Sequence, residues 1–190
     1  MAGDRQLVRN AVAAYFGGTL QTSDGGTYYQ GGPLASQGLG TAFPYPIKGG
    51  APDSYYTLGE PDGTQWGAVM TVRLGPVRNT RDSYGGNVSG WRERHYTVTC
   101  SLDVISYAAH LEQAEAPLDD LLNGMDALVY ADRTLGTTSG SYPTGRLITQ
   151  AGEGPQGITH GNAEWSVDGD RGRGRGGIDY TFDALTMVSA

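Results

Sequence analysis

The clearest pattern along the chain is an alternation of apolar and polar positions near its middle. Tyr96, Val98, Cys100, Leu102 and Val104 fall on one side of an extended backbone. His95, Thr97, Thr99, Ser101 and Asp103 fall on the other. A period of two predicts a strand with one face toward a core and the other toward water or a partner. A shorter alternation sets Met70, Val72 and Leu74 against Thr71 and Arg73. It predicts a second strand, joined to the first as a long antiparallel hairpin with residues 76–91 as its tip. Near the end of the chain, Ile178, Tyr180, Phe182 and Ala184 alternate with Asp179, Thr181 and Asp183. That gives a strand over 178–188, with weaker strand patterns near 146–151 and 157–167.

Two segments carry a helical period instead. Leu7, Val8, Ala11, Val12 and Tyr15 share one face of a short opening helix. Asp4 is placed to N-cap it, and Gly17-Gly18 to stop it. Leu118, Leu121, Leu122, Met125, Leu128 and Val129 mark a second helix that reaches Asp132, with Pro117 suited to its first turn and Gly136 to its stop. The order is helix, loop, two strands, helix, three strands. It predicts one α+β domain over residues 1–190: an antiparallel sheet with both helices packed on it.

Residues 16–65 show no sustained period and hold 12 Gly and 5 Pro. Tyr28, Tyr29, Tyr45, Tyr55 and Tyr56 are spread through them, more aromatics than a disordered linker carries. The segment reads as a long ordered loop packed on its own domain, or as an arm packed on a neighbouring subunit.

Composition sharpens this picture. Gly is 31 of 190 residues, which favours turns, and no Gly-X-Y period supports collagen. Net charge is −7, against a free-standing basic nucleic-acid binder. The acidity is concentrated: Glu112, Glu115, Asp119, Asp120, Asp126 and Asp132 lie in a stretch with no Lys or Arg. The lone Cys100 excludes an internal disulfide framework and a Cys-rich zinc site. Without an apolar signal core or membrane-length apolar run, the expectation is an intracellular soluble chain, or part of a particle assembled inside a cell.

Candidate chemistry is sparse. Gly172 to Gly177 spells G-x-G-x-x-G, but a strand pattern follows it where a dinucleotide site needs a helix N-terminus. Arg171, Arg173 and Arg175 in this Arg-Gly tract are cations for phosphate contact, and a hairpin loop is the plainer expectation. His95, His110 and His160 lack metal-ligand spacing. Asp119 and Asp120 are adjacent on a helix and point apart, a poor catalytic pair. Asn87-Val88-Ser89 fits a glycosylation acceptor without any sign of secretion. No catalytic, cofactor-binding or metal-binding residue is assigned.

Four stretches resemble the tail terminator (tail completion) proteins of long-tailed bacteriophages that infect actinobacteria. They are the opening helix Val8-Arg9-Asn10-Ala11-Val12-Ala13-Ala14-Tyr15-Phe16-Gly17, the stretch Ala131-Asp132-Arg133-Thr134-Leu135-Gly136, the stretch Gln150-Ala151-Gly152-Glu153-Gly154, and the final strand from Asp179 to Val188. The strand 93–107 leading into the helix 117–132 also sits where that family would place it. The resemblance covers about half the chain. It implies a small non-catalytic α+β subunit that forms a six-membered ring at the head–tail interface of the virion. Such a ring caps the tail tube at its final length and meets the head-side connector. Its implied partners are further copies of the chain, the tail tube protein, the connector and genomic DNA in passage, with no membrane.

Under that resemblance the candidate subunit-interface residues are Tyr28, Tyr29, Tyr45, Tyr55, Tyr56, Arg78, Arg81 and Trp91. Candidate lumen or partner-facing charges are Glu112, Glu115, Asp119, Asp120, Asp126, Arg171, Arg173 and Arg175. An acidic bore would keep passing phosphate from sticking. Another connector or tube subunit, or a nucleic-acid-binding accessory protein, are the alternatives.

Overall fold

The computed structural model describes residues 4–23, 26–47, 50–56, 65–81, 91–108, 110, 112–137, 147–168 and 173–189. Side chains are described for all of these except 79–81, 91, 92, 168 and 187–189. The elements run α1 (Asp4–Gly17), β1 (Gly18–Ser23), β2 (Gly26–Gly31), β3 (Leu39–Phe43), β4 (Trp66–Arg81), β5 (Trp91–Ser106), α2 (Glu112–Ala131), β6 (Ile148–Ala151), β7 (Ile158–His160), β8 (Glu164–Asp168) and β9 (Arg173–Ser189). The protein is a single α+β domain with one nine-stranded mixed sheet and two helices.

The strands lie in the order β1-β2-β3-β4-β5-β9, and β9 carries β6, β7 and β8 one after another along its far side. The centre is the expected hairpin, with longer strands than expected: β4 and β5 pair antiparallel from Trp66↔Ser106 to Arg81↔Glu93, so residues 76–81 and 91 belong to the strands rather than to the tip. β9 then pairs with β5 along its whole length, from Trp91↔Ser189 to Ser106↔Gly174.

Both helices cover one face of this sheet. Val8, Val12 and Phe16 of α1 and Leu118, Leu121, Met125 and Val129 of α2 share one core with Met70, Val72, Val98, Cys100, Tyr180 and Phe182. Each fully buried aliphatic or aromatic side chain of this kind contributes roughly 1.5–3 kcal/mol. The Tyr15 hydroxyl ties the helices together by donating to the Leu128 carbonyl at 2.7 Å.

Three expectations need correction. The segment 16–65 is not one long loop: it contains the hairpin β1–β2 and the strand β3. β3 pairs parallel to β4, so the sheet is mixed rather than antiparallel. That geometry demands a crossover, and the described residues between β3 and β4 supply it by passing over the sheet face away from the helices. There Phe43, Tyr56, Val69 and Ile105 form a second small core with Tyr28, Ile47, Ala51 and Tyr55. Gly40 permits the close approach: a Cβ on it would sit 2.4 Å from the Tyr56 carbonyl group. Lastly, α2 begins at Glu112, which puts Pro117 beyond the first turn. Its missing N–H leaves the Gln113 carbonyl without its i+4 partner.

Candidate functional site

The helix-free face of β4, β5 and β9 is polar, as the alternation predicts, and its side chains are paired with one another across strands. Arg73 donates to Ser101 and, at 3.0 Å, to Asp179; Ser101 donates to the same Asp179 oxygen at 2.6 Å. Thr99 and Thr181 hydroxyls meet at 3.3 Å. Asp183 is almost fully buried, with the Thr97 hydroxyl at 3.4 Å and His95 Nε2 at 3.7 Å. Cross-strand pairs of this type contribute a few tenths to about 1 kcal/mol each. They fix the register of the long strands.

One end of this face is clamped by the crossover. Tyr56 is fully buried, and its hydroxyl donates to Asp103 Oδ2 at 2.6 Å. Arg175 grips the same carboxylate with two bonds, Nε to Oδ1 at 3.0 Å and Nη2 to Oδ2 at 2.5 Å. Burial, and then the bond to Asp103, push the Tyr56 hydroxyl well above its ordinary pKa. The bond to Asp103 is also the main reason the Arg175 pKa rises. Beside it Arg173 is buried and pairs with Asp53 of the crossover at 2.8 Å.

Two of the stretches that carry the family resemblance meet near the end of α2. Asp132 closes the helix: its Oδ1 accepts from the Thr134 N–H at 2.8 Å and hydroxyl at 2.6 Å, and its Oδ2 accepts from the Gly136 N–H at 2.8 Å. The turn holds Leu135 at φ 49°, buried in the core. Arg133 then reaches the other stretch, donating to the Ala151 carbonyl at 2.9 Å and lying 3.6 Å from Glu153.

The predicted site residues divide into several groups. Tyr29 and Tyr56 are buried in the chain's own cores and present almost no surface to a neighbour, which corrects that expectation. Tyr28 and Tyr55 pack on Phe43 in an aromatic group with centroids 5.2–5.6 Å apart, Tyr55 edge-on to both other rings. Tyr45 stays exposed, with the Arg9 guanidinium 4.9 Å from its ring centre. Arg78 is exposed on β4. The backbones of Arg81 and Trp91 belong to paired strands, and their side chains lie outside the described residues. So do Arg171, Asn87-Val88-Ser89 and residues 82–90 of the expected tip.

Among the charges, Glu112, Glu115, Asp119 and Asp120 are exposed along α2. Asp126 is half-buried and engaged within the chain: its Oδ1 accepts from the Tyr180 hydroxyl at 3.0 Å and lies 3.2 Å from His160 Nε2, which pins α2 to the sheet. Burial, then the nearby Asp126 charge, raise the Tyr180 pKa far above normal. Arg173 and Arg175 lie in β9 rather than in a hairpin loop, each paired with a carboxylate of the same chain. Cys100 is buried in the core, and burial raises its thiol pKa.

The clefts on the polar face are small. One of about 210 Å³ lies between Pro46, Ile47, Gly50 and Ala51 and the sheet, one of about 170 Å³ lies beside His95 and Asp183, and a shallow one of about 330 Å³ lies over Gly176 and Gly177. They sit at or below the lower end of ordinary small-molecule sites. Among the described residues, no group of three or more His, Cys, Asp or Glu is placed to hold a metal ion. No helix in the described residues is long and apolar enough to cross a membrane. The arrangement defines an α+β domain in which many polar side chains of the helix-free face are paired with one another. No family model and no curated protein matches the chain.

Proposed function

We propose that this protein is a structural subunit of a phage tail, the terminator, whose copies close into a ring that caps the tail tube and meets the head-side connector. The sequence resemblance supplies the family, and the α+β fold agrees with what that resemblance implies. One observation carries the proposal beyond it. Arg73, Arg94, Arg133, Arg173 and Arg175 are all ion-paired to carboxylates of their own chain. Glu112, Glu115, Asp119 and Asp120 of α2 stay exposed. Arginines neutralised by carboxylates of their own chain, beside an exposed run of carboxylates on α2, suit a ring through which DNA slides without sticking.

The same distribution weighs against a nucleic-acid-binding accessory protein. Two of the three arginines of its Arg-Gly tract already neutralise Asp53 and Asp103 of the same chain, which lowers the net charge they offer to phosphate. A tube subunit shares the fold style and differs in number. Quantitative mass spectrometry of purified particles separates them: the terminator is expected at one ring of copies per particle. A stoichiometry equal to the tube protein would make this chain a tube subunit, and its absence from particles would remove it from the virion.

A further inference from the structure

On each side the sheet ends in strands whose outer edges pair with nothing among the described residues. On one side is β1, bonded only to β2; on the other are β6, β7 and β8, each bonded only to β9. Exposed edges are normally protected by charge, proline or a bulge. β1 has none of these: its sequence Gly-Thr-Leu-Gln-Thr-Ser is uncharged, it pairs without register shift, and residues 19–23 are exposed.

Each edge also shows one exposed aliphatic side chain. The large exposed hydrophobics of the described residues are Leu20, Tyr45, Tyr107, Tyr130 and Val167. The two aliphatic ones, Leu20 at 56% and Val167 at 74% exposure, sit in β1 and β8. They also share a face. Residues directly opposite in a sheet point the same way. Leu20 lies opposite Tyr29, Tyr29 opposite Ala42, Ala42 opposite Met70, Met70 opposite Leu102, and Leu102 opposite Ile178. That row points to the helix side. Val167 lies opposite Gly174, which stands in the same even-numbered series of β9 as Ile178.

Strand direction matches as well. From β1 the sense alternates through β2 and β3, is kept at the parallel β3–β4 pair, and alternates through β5, β9 and β8. β1 and β8 therefore run in opposite senses. A rotation about an axis along the strands keeps those senses, so β8 of one copy meets β1 of the next as an antiparallel pair.

We infer that the chain assembles by sheet continuation: β1 of one copy pairs antiparallel with β8 of a second copy, burying Leu20 against Val167. The contact is head-to-tail, so it repeats and can close into a ring. The inference deepens the proposed ring and rests on it only for closure.

Its test is a thiol cross-link between copies. Opposed residues in an antiparallel pair have Cα atoms about 4.5–5.5 Å apart, within disulfide reach. Leu20→Cys protein and Val167→Cys protein are oxidised mildly, separately and mixed, and the doubly substituted chain is oxidised in concentrated solution and in assembled particles. Both sites are exposed, so the fold should survive, and an unchanged circular dichroism spectrum checks it. The mixture is expected to give at least about tenfold more covalent dimer than either variant alone, because a bound pair raises the effective thiol concentration. The double variant is expected to give a ladder of multimers. Mixed and separate samples that cross-link equally, with no ladder in particles, overturn the pairing. Rings seen by microscopy without the link leave the terminator reading standing and remove this interface. A specific link in a chain present at tube stoichiometry keeps the interface and removes the terminator reading.

Discussion

Asp103 is the residue on which the crossover depends. It accepts from Tyr56 and twice from Arg175, and so joins the chain at positions 47 and 72 residues away. A hydrogen bond to a charged acceptor contributes more than a neutral one. Tyr56→Phe is expected to cost about 1–2 kcal/mol, since Asp103 keeps Arg175 and the ring keeps its packing. Tyr55→Phe is the contrast: its hydroxyl meets Ser23 at 3.3 Å in an exposed position, and its loss should cost under about 0.5 kcal/mol. Chemical denaturation of both variants checks the pair; equal costs would contradict the assignment of the clamp to Tyr56. Nothing in the sequence marked this clamp. Tyr56 was legible only as one of several scattered tyrosines, and Asp103 only as the polar member of an alternating strand.

At the scale of elements, α2 contains a position that can be improved. Pro117 lies inside the helix, where it withholds an N–H from the Gln113 carbonyl. Gln113 is exposed, so a cost below the full interior penalty of about 3 kcal/mol is expected. Proline also restricts the unfolded chain, which offsets part of the gain. Pro117→Ala is expected to raise stability by about 1–2 kcal/mol in a denaturant titration. A loss of stability would mean that the half-buried proline ring contributes more by packing than its backbone costs.

The elements that sequence periodicity foretold most clearly are those with one buried face: α1, α2, β4, β5 and the apolar part of β9; the weaker pattern at 146–151 is β6, and the single strand expected over 157–167 is two, β7 and β8. The hairpin β1–β2 escaped because residues 19–23 are all exposed and therefore show no alternation. β3 escaped because it is buried on both sides and its parallel pairing depends on the crossover. The start of β9 was hidden by its glycines, which disfavour strands in isolation. Here β5 and β8 flank them on both sides, and Gly176 makes room for the Trp165 ring, 2.6 Å from where a Cβ would sit.

At the scale of the whole molecule, one sheet organises everything. One face holds the helices, the other pairs its own polar side chains, and the acidic side of α2 is turned outward. The charges of the Arg-Gly tract could not be assigned from sequence, because Asp53 and Asp103, which neutralise Arg173 and Arg175, lie far away along the chain. In the ring proposed above, the surfaces left for partners are the sheet edges and the acidic side of α2. The most direct test of the terminator account is electron microscopy of lysates from a phage lacking this gene. The account predicts filled, tailless heads beside separate tubes of abnormal length. Intact particles with tails of normal length would contradict it.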